Sequence, residues 1–156
     1  MGAKLKKEKR LETIKKKGNG MRRKPIILVV DDEKIMHELF RKILKKEKYA
    51  VLTAGNGKKA LKMAESKKLD LVILDMKMPD MNGIEILRRI KKIDENIEVI
   101  MLTGFGTMKT AKIAMGMGAY DYITKPFDNN DIMALIKDAL SSTSDSFLSK
   151  CKGKCV

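Results

Sequence analysis

Between Pro25 and Leu140 the chain alternates five times between a short apolar run and a longer stretch with helical spacing. This alternation constrains the fold more than any other feature. Ile26 to Val30 is a continuous β-branched run behind a proline, and Leu71 to Leu74 repeats the pattern. Tyr49 to Ala54, Ile97 to Leu102 and Ala119 to Thr124 complete the set of expected strands. Between them lie helical stretches. Glu33 to Glu47 places Ile35, Leu39, Ile43 and Leu44 on one face, and Lys58 to Ser66 turns Ala60, Leu61 and Ala64 inward. Asn82-Gly83 opens a helix carrying Ile84, Ile86, Leu87 and Ile90, and Thr107 to Met117 is a helix of small residues and Met. Asp128 or Asn129 caps a last helix that ends at Leu140. Strands that are apolar throughout, rather than alternating, must be covered on both faces. The expectation is an α/β domain with a five-stranded parallel sheet and five helices on its two faces.

Composition narrows the function classes. With no Trp and only 4% aromatic residues, the chain cannot offer a stacking platform for single-stranded nucleic acid. No apolar run approaches the roughly 20 residues of a membrane helix, and no apolar stretch follows the basic N-terminus as a signal peptide requires. The expectation is a cytoplasmic protein with no membrane insertion. Two Cys, at 151 and 155, exclude a disulfide scaffold, and the single His excludes sites built from several imidazoles. No G-x-x-x-x-G-K stretch is present, which excludes a P-loop nucleotide enzyme.

The formal net charge of +14 is concentrated at one end. Residues 1–24 carry 11 Lys/Arg against 2 Asp/Glu, whereas residues 25–140 carry 20 against 17. Residues 1–24 read as a basic, disordered extension, closed by Gly18-Asn19-Gly20. An alternative gives this arm a role in binding nucleic acid or anionic lipid by counterion release. Residues 141–156 open with Ser-Ser-Thr-Ser-Asp-Ser and read as a polar, flexible tail with Cys151 and Cys155 as free thiols.

Open parallel sheets bind ligands at the carboxyl ends of their strands. Asp31 and Asp32 follow the first strand, Asp75 ends the third, Thr103 follows the fourth and Lys125 the fifth. Taken singly, each has an ordinary reading: a helix cap, a turn hydroxyl, a solvated lysine. Together they place three carboxylates, a hydroxyl and an ammonium on one rim. Clustered carboxylates repel, and a cation among them relieves the repulsion. An all-oxygen donor set favours Mg²⁺ or Mn²⁺ over Zn²⁺. Lys125 and Thr103 suit the oxygens of a phosphoryl group, and one of the carboxylates suits the role of nucleophile.

Four motifs, in order, now carry a family resemblance. They are Val29-Val30-Asp31-Asp32-Glu33; Asp75-Met76-Lys77-Met78-Pro79 with Asn82-Gly83; Leu102-Thr103-Gly104; and Tyr122-Ile123-Thr124-Lys125-Pro126-Phe127. The segment from Pro25 to Leu140 resembles the receiver domain of two-component response regulators, which implies a (βα)5 flavodoxin-like fold. The stretch Gly118 to Phe127 is similar to receivers of the nitrogen-regulatory subgroup. The resemblance implies that Asp75 is the phosphoacceptor, charged by the phosphohistidine of a sensor histidine kinase or a histidine phosphotransfer protein. It implies Asp31, Asp32, Asp75 and the backbone carbonyl of Lys77 as Mg²⁺ ligands, and Thr103 and Lys125 as phosphoryl-binding groups. Thr103 and Tyr122 match the switch pair, and Lys125–Pro126 matches a cis peptide. The surface remodelled would be the fourth helix, fifth strand and fifth helix, read by a downstream protein effector.

Some positions tune this reading. Lys77 and Phe105 occupy two places where receivers vary, and neither can orient an attacking water, so slow self-dephosphorylation is expected. Lys77 also stands where aspartyl-phosphate enzymes carry a general acid, which argues against a turnover enzyme. Met108, Met115 and Met117 read as core filling, with an adaptable partner surface as the alternative. His37 reads as a solvated surface residue beside Glu38. Two outputs compete: a stand-alone, chemotaxis-regulator-like switch, and the receiver piece of a longer transcriptional regulator or a DNA-associated regulator using the basic arm.

Overall fold

The computed structural model describes residues 23–104 and 108–153, with side chains through Ser142. The elements alternate without interruption: β1 Ile26–Val30, α1 Lys34–Lys45, β2 Ala50–Ala54, α2 Gly57–Ser66, β3 Leu71–Asp75, α3 Gly83–Ile93, β4 Glu98–Thr103, α4 Met108–Gly116, β5 Asp121–Thr124 and α5 Asn129–Gly153. The strands form one parallel sheet in the order β2-β1-β3-β4-β5, so the expected α/β class and two-sided helix packing hold. The order reverses between β1 and β3, which opens a crevice at their carboxyl ends.

Side-chain alternation along each strand splits the core in two. Leu28, Val30, Val72, Leu74, Val99 and Met101 point to one face, under α2, α3 and α4. Ile27, Val29, Leu71, Ile73, Ile100 and Leu102 point to the other, where Phe40 and Leu44 of α1 and Ile132, Ile136 and Ala139 of α5 cover them. The register carries this layering across the sheet, with Val29 beside Ile73 and Ile73 beside Ile100.

Local chemistry starts the helices where the sequence suggests. The Asn56 side chain accepts the Lys59 N–H at 2.8 Å to cap α2, and Asn82 accepts that of Ile84 at 2.8 Å to cap α3. Asp128 accepts the Asn130 N–H at 2.7 Å at the head of α5. Gly83 is dictated by space: a Cβ there would lie 2.8 Å from the Asp75 carbonyl oxygen and 2.8 Å from Met76 Cα. Both are backbone atoms, so only glycine lets α3 start against the end of β3.

Three expectations need correction. The buried face of α1 is Phe40 and Leu44, with Met36 and Ile43 packed beside them; Ile35 is 69% exposed. Phe40 sets the face by contacting Phe127 at 5.9 Å between ring centroids, and Ile35 is rotated outward by the 3.6-residue period. The last helix does not stop at Leu140 but continues to Gly153. No Gly or Pro interrupts it before that point, and the Ser141 and Ser142 hydroxyls donate back to the Asp138 and Ala139 carbonyls at 2.9 and 2.8 Å. The serine-rich start of the expected tail is thus accommodated inside the helix. Core filling holds for Met117, which packs on the α2–α4 side, but Met108 and Met115 are 69% and 43% exposed. Ala111 and Ala114 take the buried stripe of α4 instead. The basic arm through residue 22, Phe105 and Cys155 lie outside the described residues.

Candidate functional site

The site lies at the β1–β3 crevice. β1 delivers Asp31 and Asp32, and β3 ends on Asp75. One carboxylate oxygen from each of the three falls within 4.8 Å of the others. Among the described residues, Asp31, Asp75 and Thr103 are the buried polar or charged side chains, at 0%, 7% and 6% exposure. A chain that buries so few polar groups, and puts them all on one rim, is holding a site rather than a core. Asp32 is exposed at the mouth.

Lys125, carried past the end of β5, reaches into this cluster. Its Nζ donates to Asp31 Oδ2 at 3.0 Å and to Asp75 Oδ2 at 3.4 Å. The Lys125 N–H donates to the Thr103 carbonyl at 2.7 Å, which ties the β4 and β5 ends together, and the Lys125–Pro126 peptide is cis. Burial works against the Lys125 ammonium, but the hydrogen bond and charge of Asp31, then Asp75, outweigh it and raise its pKa. The Asp75 carboxyl moves the same way. Burial raises its pKa, the Lys77 N–H at 3.2 Å to Oδ1 opposes the rise, and the Asp31 charge adds to it.

The backbone fixes the acidic loops independently. The Asp31 N–H donates to the Ala54 carbonyl at 3.1 Å, and Asp31 Oδ1 accepts the Glu33 N–H at 2.9 Å. The loop after Asp75 returns on itself. The Gly83 N–H reaches the Met76 carbonyl at 3.0 Å, and Lys77 bridges to Asn82 in antiparallel fashion. Tyr122 and Thr103 line one small apolar cavity with Met76, Met101, Ala111 and Ala114.

The donor set suits a hard divalent cation: carboxylate oxygens from two loops, one mouth open to water, and no nitrogen or sulfur ligand. Two contacts escaped sequence reasoning. His37 is half-buried, not solvated, and its Nε2–H donates to the Asp31 carbonyl at 2.7 Å. The helical pattern places it on the polar side of α1, and nothing in the pattern reveals that the polar side meets the acidic loop. Asp80 accepts the N–H groups of Gly57 and Lys58 at 2.9 and 3.1 Å, a pairing 23 and 22 residues apart that no local signal announces.

No helix among the described residues is long and apolar enough to cross a membrane. Residues 27–137 match the family model described as the response regulator receiver domain. The chain is 42% identical over 114 residues to sporulation initiation phosphotransferase F of Bacillus subtilis, covering 73% of this chain and 92% of that protein. Several other curated relatives are longer regulators, of which it spans 25% to 48%, whereas it covers 97% of the chemotaxis protein CheY of Halobacterium salinarum at 39% identity. The crystal structure of a CheY-like receiver domain protein from Methanospirillum hungatei superposes with a TM-score of 0.77 at 30% identity, covering 80% of this chain and 99% of that one. A CheX–CheY–BeF3–Mg²⁺ complex from Borrelia burgdorferi gives 0.70 at 29% identity, over 73% and 87%. The chain therefore belongs to the response regulator receiver domains, the phosphoacceptor switches of two-component signalling.

Proposed function

We propose that Asp75 is the phosphoacceptor of this receiver and that Lys125 bridges it to the metal-binding acid pair. The observation that carries the reading is the Lys125 ammonium, shared between buried Asp31 at 3.0 Å and Asp75 at 3.4 Å. An ammonium so placed can exchange one of its carboxylate partners for a phosphoryl oxygen without leaving the crevice. In the transfer, an Asp75 carboxylate oxygen forms a bond to phosphorus as the P–N bond of a phosphohistidine breaks. The released imidazole nitrogen takes a proton from water. Burial makes the Asp75 oxygen more basic and less solvated, which favours attack. When Mg²⁺ or Mn²⁺ is bound by Asp31, Asp32, Asp75 and the Lys77 carbonyl, it neutralises the charge that carboxylates and phosphoryl oxygens bring together.

Thr103 then donates its hydroxyl to the new phosphoryl group, and Tyr122 turns toward the space Thr103 leaves. Their shared cavity with Ala111 and Ala114 supports this reading, because it couples β4 and β5 to α4. The remodelled surface of α4, β5 and α5 contacts a downstream protein. The phosphoryl donor is a sensor histidine kinase or a histidine phosphotransfer protein, and the compartment is the cytoplasm. The longer regulators among the relatives favour a second reading, a receiver that controls an attached output domain. Nucleic-acid contact through residues 1–24 is the weaker alternative.

Incubation with Mg²⁺ and acetyl phosphate, followed by mapping of the label, tests the assignment. Labelling at Asp75 that disappears in Asp75→Ala is expected; stoichiometric labelling retained in that variant names another acceptor. With Lys77 two residues after the acceptor, the phosphorylated form should decay slowly, and loss within seconds would contradict that.

A further inference from the structure

We propose that Asp80 is a positioning residue that tunes the metal affinity and phosphorylation rate of the acidic site from outside it. The inference rests on the preceding reading of Asp31, Asp32, Asp75 and the Lys77 carbonyl as the cation site. The β3–α3 loop runs from Asp75 to Gly83. Its neck is closed by the Gly83–Met76 hydrogen bond and the Lys77–Asn82 bridge. Its tip is held elsewhere: the Asp80 carboxylate takes one N–H from Gly57 on Oδ1 at 2.9 Å and one from Lys58 on Oδ2 at 3.1 Å.

Those two N–H groups are unpaired donors of the first turn of α2, where the helix dipole favours an anion. The pair of bonds lowers the pKa of the Asp80 carboxyl, as two charge-assisted contacts should. The Asn56 side chain satisfies the third donor, Lys59 N–H. Asp80 therefore caps a helix that belongs to another βα unit, while Asn56 caps its own.

The placement gives the cap its consequence. β1 lies between β2 and β3 in the sheet. The tie from the start of α2, just beyond β2, to the loop after β3 joins the loops that follow the two strands flanking β1, whose own carboxyl end carries Asp31 and Asp32. Gly57 makes the approach of α2 to this loop close: a Cβ there would lie 3.1 Å from Met81 Cβ and 3.0 Å from Ile86 Cδ1. The tip of the loop is thus fastened to the start of α2, while its neck is closed on itself by the Gly83–Met76 hydrogen bond and the Lys77–Asn82 bridge. Lys77 is one end of that bridge, three residues before Asp80, so the direction of its carbonyl depends on how the loop from Lys77 to Asn82 is held at its tip.

Asn56→Ala is the control, because it removes a cap from the same helix end without touching the loop. The three chains compared are wild type, Asp80→Ala and Asn56→Ala. Melting temperature, Mg²⁺ dissociation constant by calorimetric titration, and labelling rate with acetyl phosphate are measured on each. Both variants should melt lower than wild type by similar amounts. Asp80→Ala alone should weaken Mg²⁺ binding by about tenfold, as loss of a residue that orients a metal ligand does, and slow labelling in parallel. Asp80→Asn, which keeps one oxygen acceptor but no charge, should show a smaller loss of affinity, and it is the deciding variant should Asp80→Ala fail to fold. Equal Mg²⁺ affinity in wild type and in the folded Asp80 variants makes Asp80 a helix cap only and overturns the proposal. Wild type that neither binds Mg²⁺ nor takes label overturns the underlying site reading instead, and that outcome is read without any variant.

Discussion

Replacing Lys125 by Met separates the charge of the lysine from its stem. Asp31 is fully buried, and its hydrogen-bonded cation in the structure is the Lys125 ammonium at 3.0 Å, which also faces Asp75 at 3.4 Å. Removing one partner of a buried pair leaves an uncompensated charge and costs about 3–5 kcal/mol. The Lys125 side chain keeps 21% exposure, so water reaches this pair and the low end, about 3 kcal/mol, applies. For a domain of this size that corresponds to a fall in melting temperature of roughly 10 °C. The fall should be seen with metal chelated. With Mg²⁺ present the gap to wild type should narrow. The ammonium and the cation compete for the same carboxylates, so Lys125→Met should bind Mg²⁺ more tightly than wild type. Each chain gains about 2.7 kcal/mol at a hundred times its own dissociation constant, so at saturating ion the gap closes by the affinity difference, about 1.4 kcal/mol for each tenfold. Thermal melts followed by circular dichroism, in chelator and across a Mg²⁺ series, read both numbers. A variant that melts within about 2 °C of wild type in chelator would show that the carboxylates do not need the ammonium. A smaller Mg²⁺ response in the variant than in wild type would show that lysine and cation do not share them.

Asp75→Asn should remove a contribution to stability that falls as pH rises. Folding raises the Asp75 pKa, so the folded state binds the proton more tightly, and the wild type loses stability as pH rises from the unfolded carboxyl value through the folded one. Melts of both chains between roughly pH 3 and pH 7 should show the variant gaining on wild type with rising pH, and a constant gap would refute the buried, repelled carboxyl. Glu85 moves oppositely: the Arg88 and Arg89 hydrogen bonds hold it down to about 2, so whatever it contributes is present above its ordinary value of 4.5 and is lost as pH falls toward 2. Phe40→Ala should cost about 3–5 kcal/mol, whereas Ile35→Ala, at a 69% exposed position, should cost under about 0.5 kcal/mol; similar losses in chemical denaturation would return Ile35 to the core.

The sheet was legible because its strands announce themselves. Ile26 to Val30 and Leu71 to Leu74 are apolar at every position, and only a two-sided parallel sheet buries such runs. The helix faces were less legible for a reason visible in α1. Met36, Leu39, Phe40, Ile43 and Leu44, with Ile35 before them, span more than one face, and several stripes fit 3.6-residue spacing. The choice is made by Phe127, which meets Phe40 from 87 residues away. The end of α5 was misjudged because serine composition stands for linkers in general, while in a helix a serine can return its hydroxyl to a carbonyl one turn back.

The site divides in the same way. Asp31, Asp32, Asp75, Thr103 and Lys125 could be read from the sequence because the parallel topology sends every strand end to one rim, so adjacency to a strand end stands in for adjacency in space. His37 and Asp80 lie one step outside that rule. Each acts on a backbone group, the Asp31 carbonyl or the α2 N–H pair, and backbone groups are the same at every residue, so no side-chain pattern marks where the partner is. The groups that gather at the rim are therefore the legible ones, and the groups that hold the loops in place are not. A sequence comparison that scores only the strand-end motifs would give two receivers the same rim while missing contacts such as that of Asp80 with the α2 N–H pair.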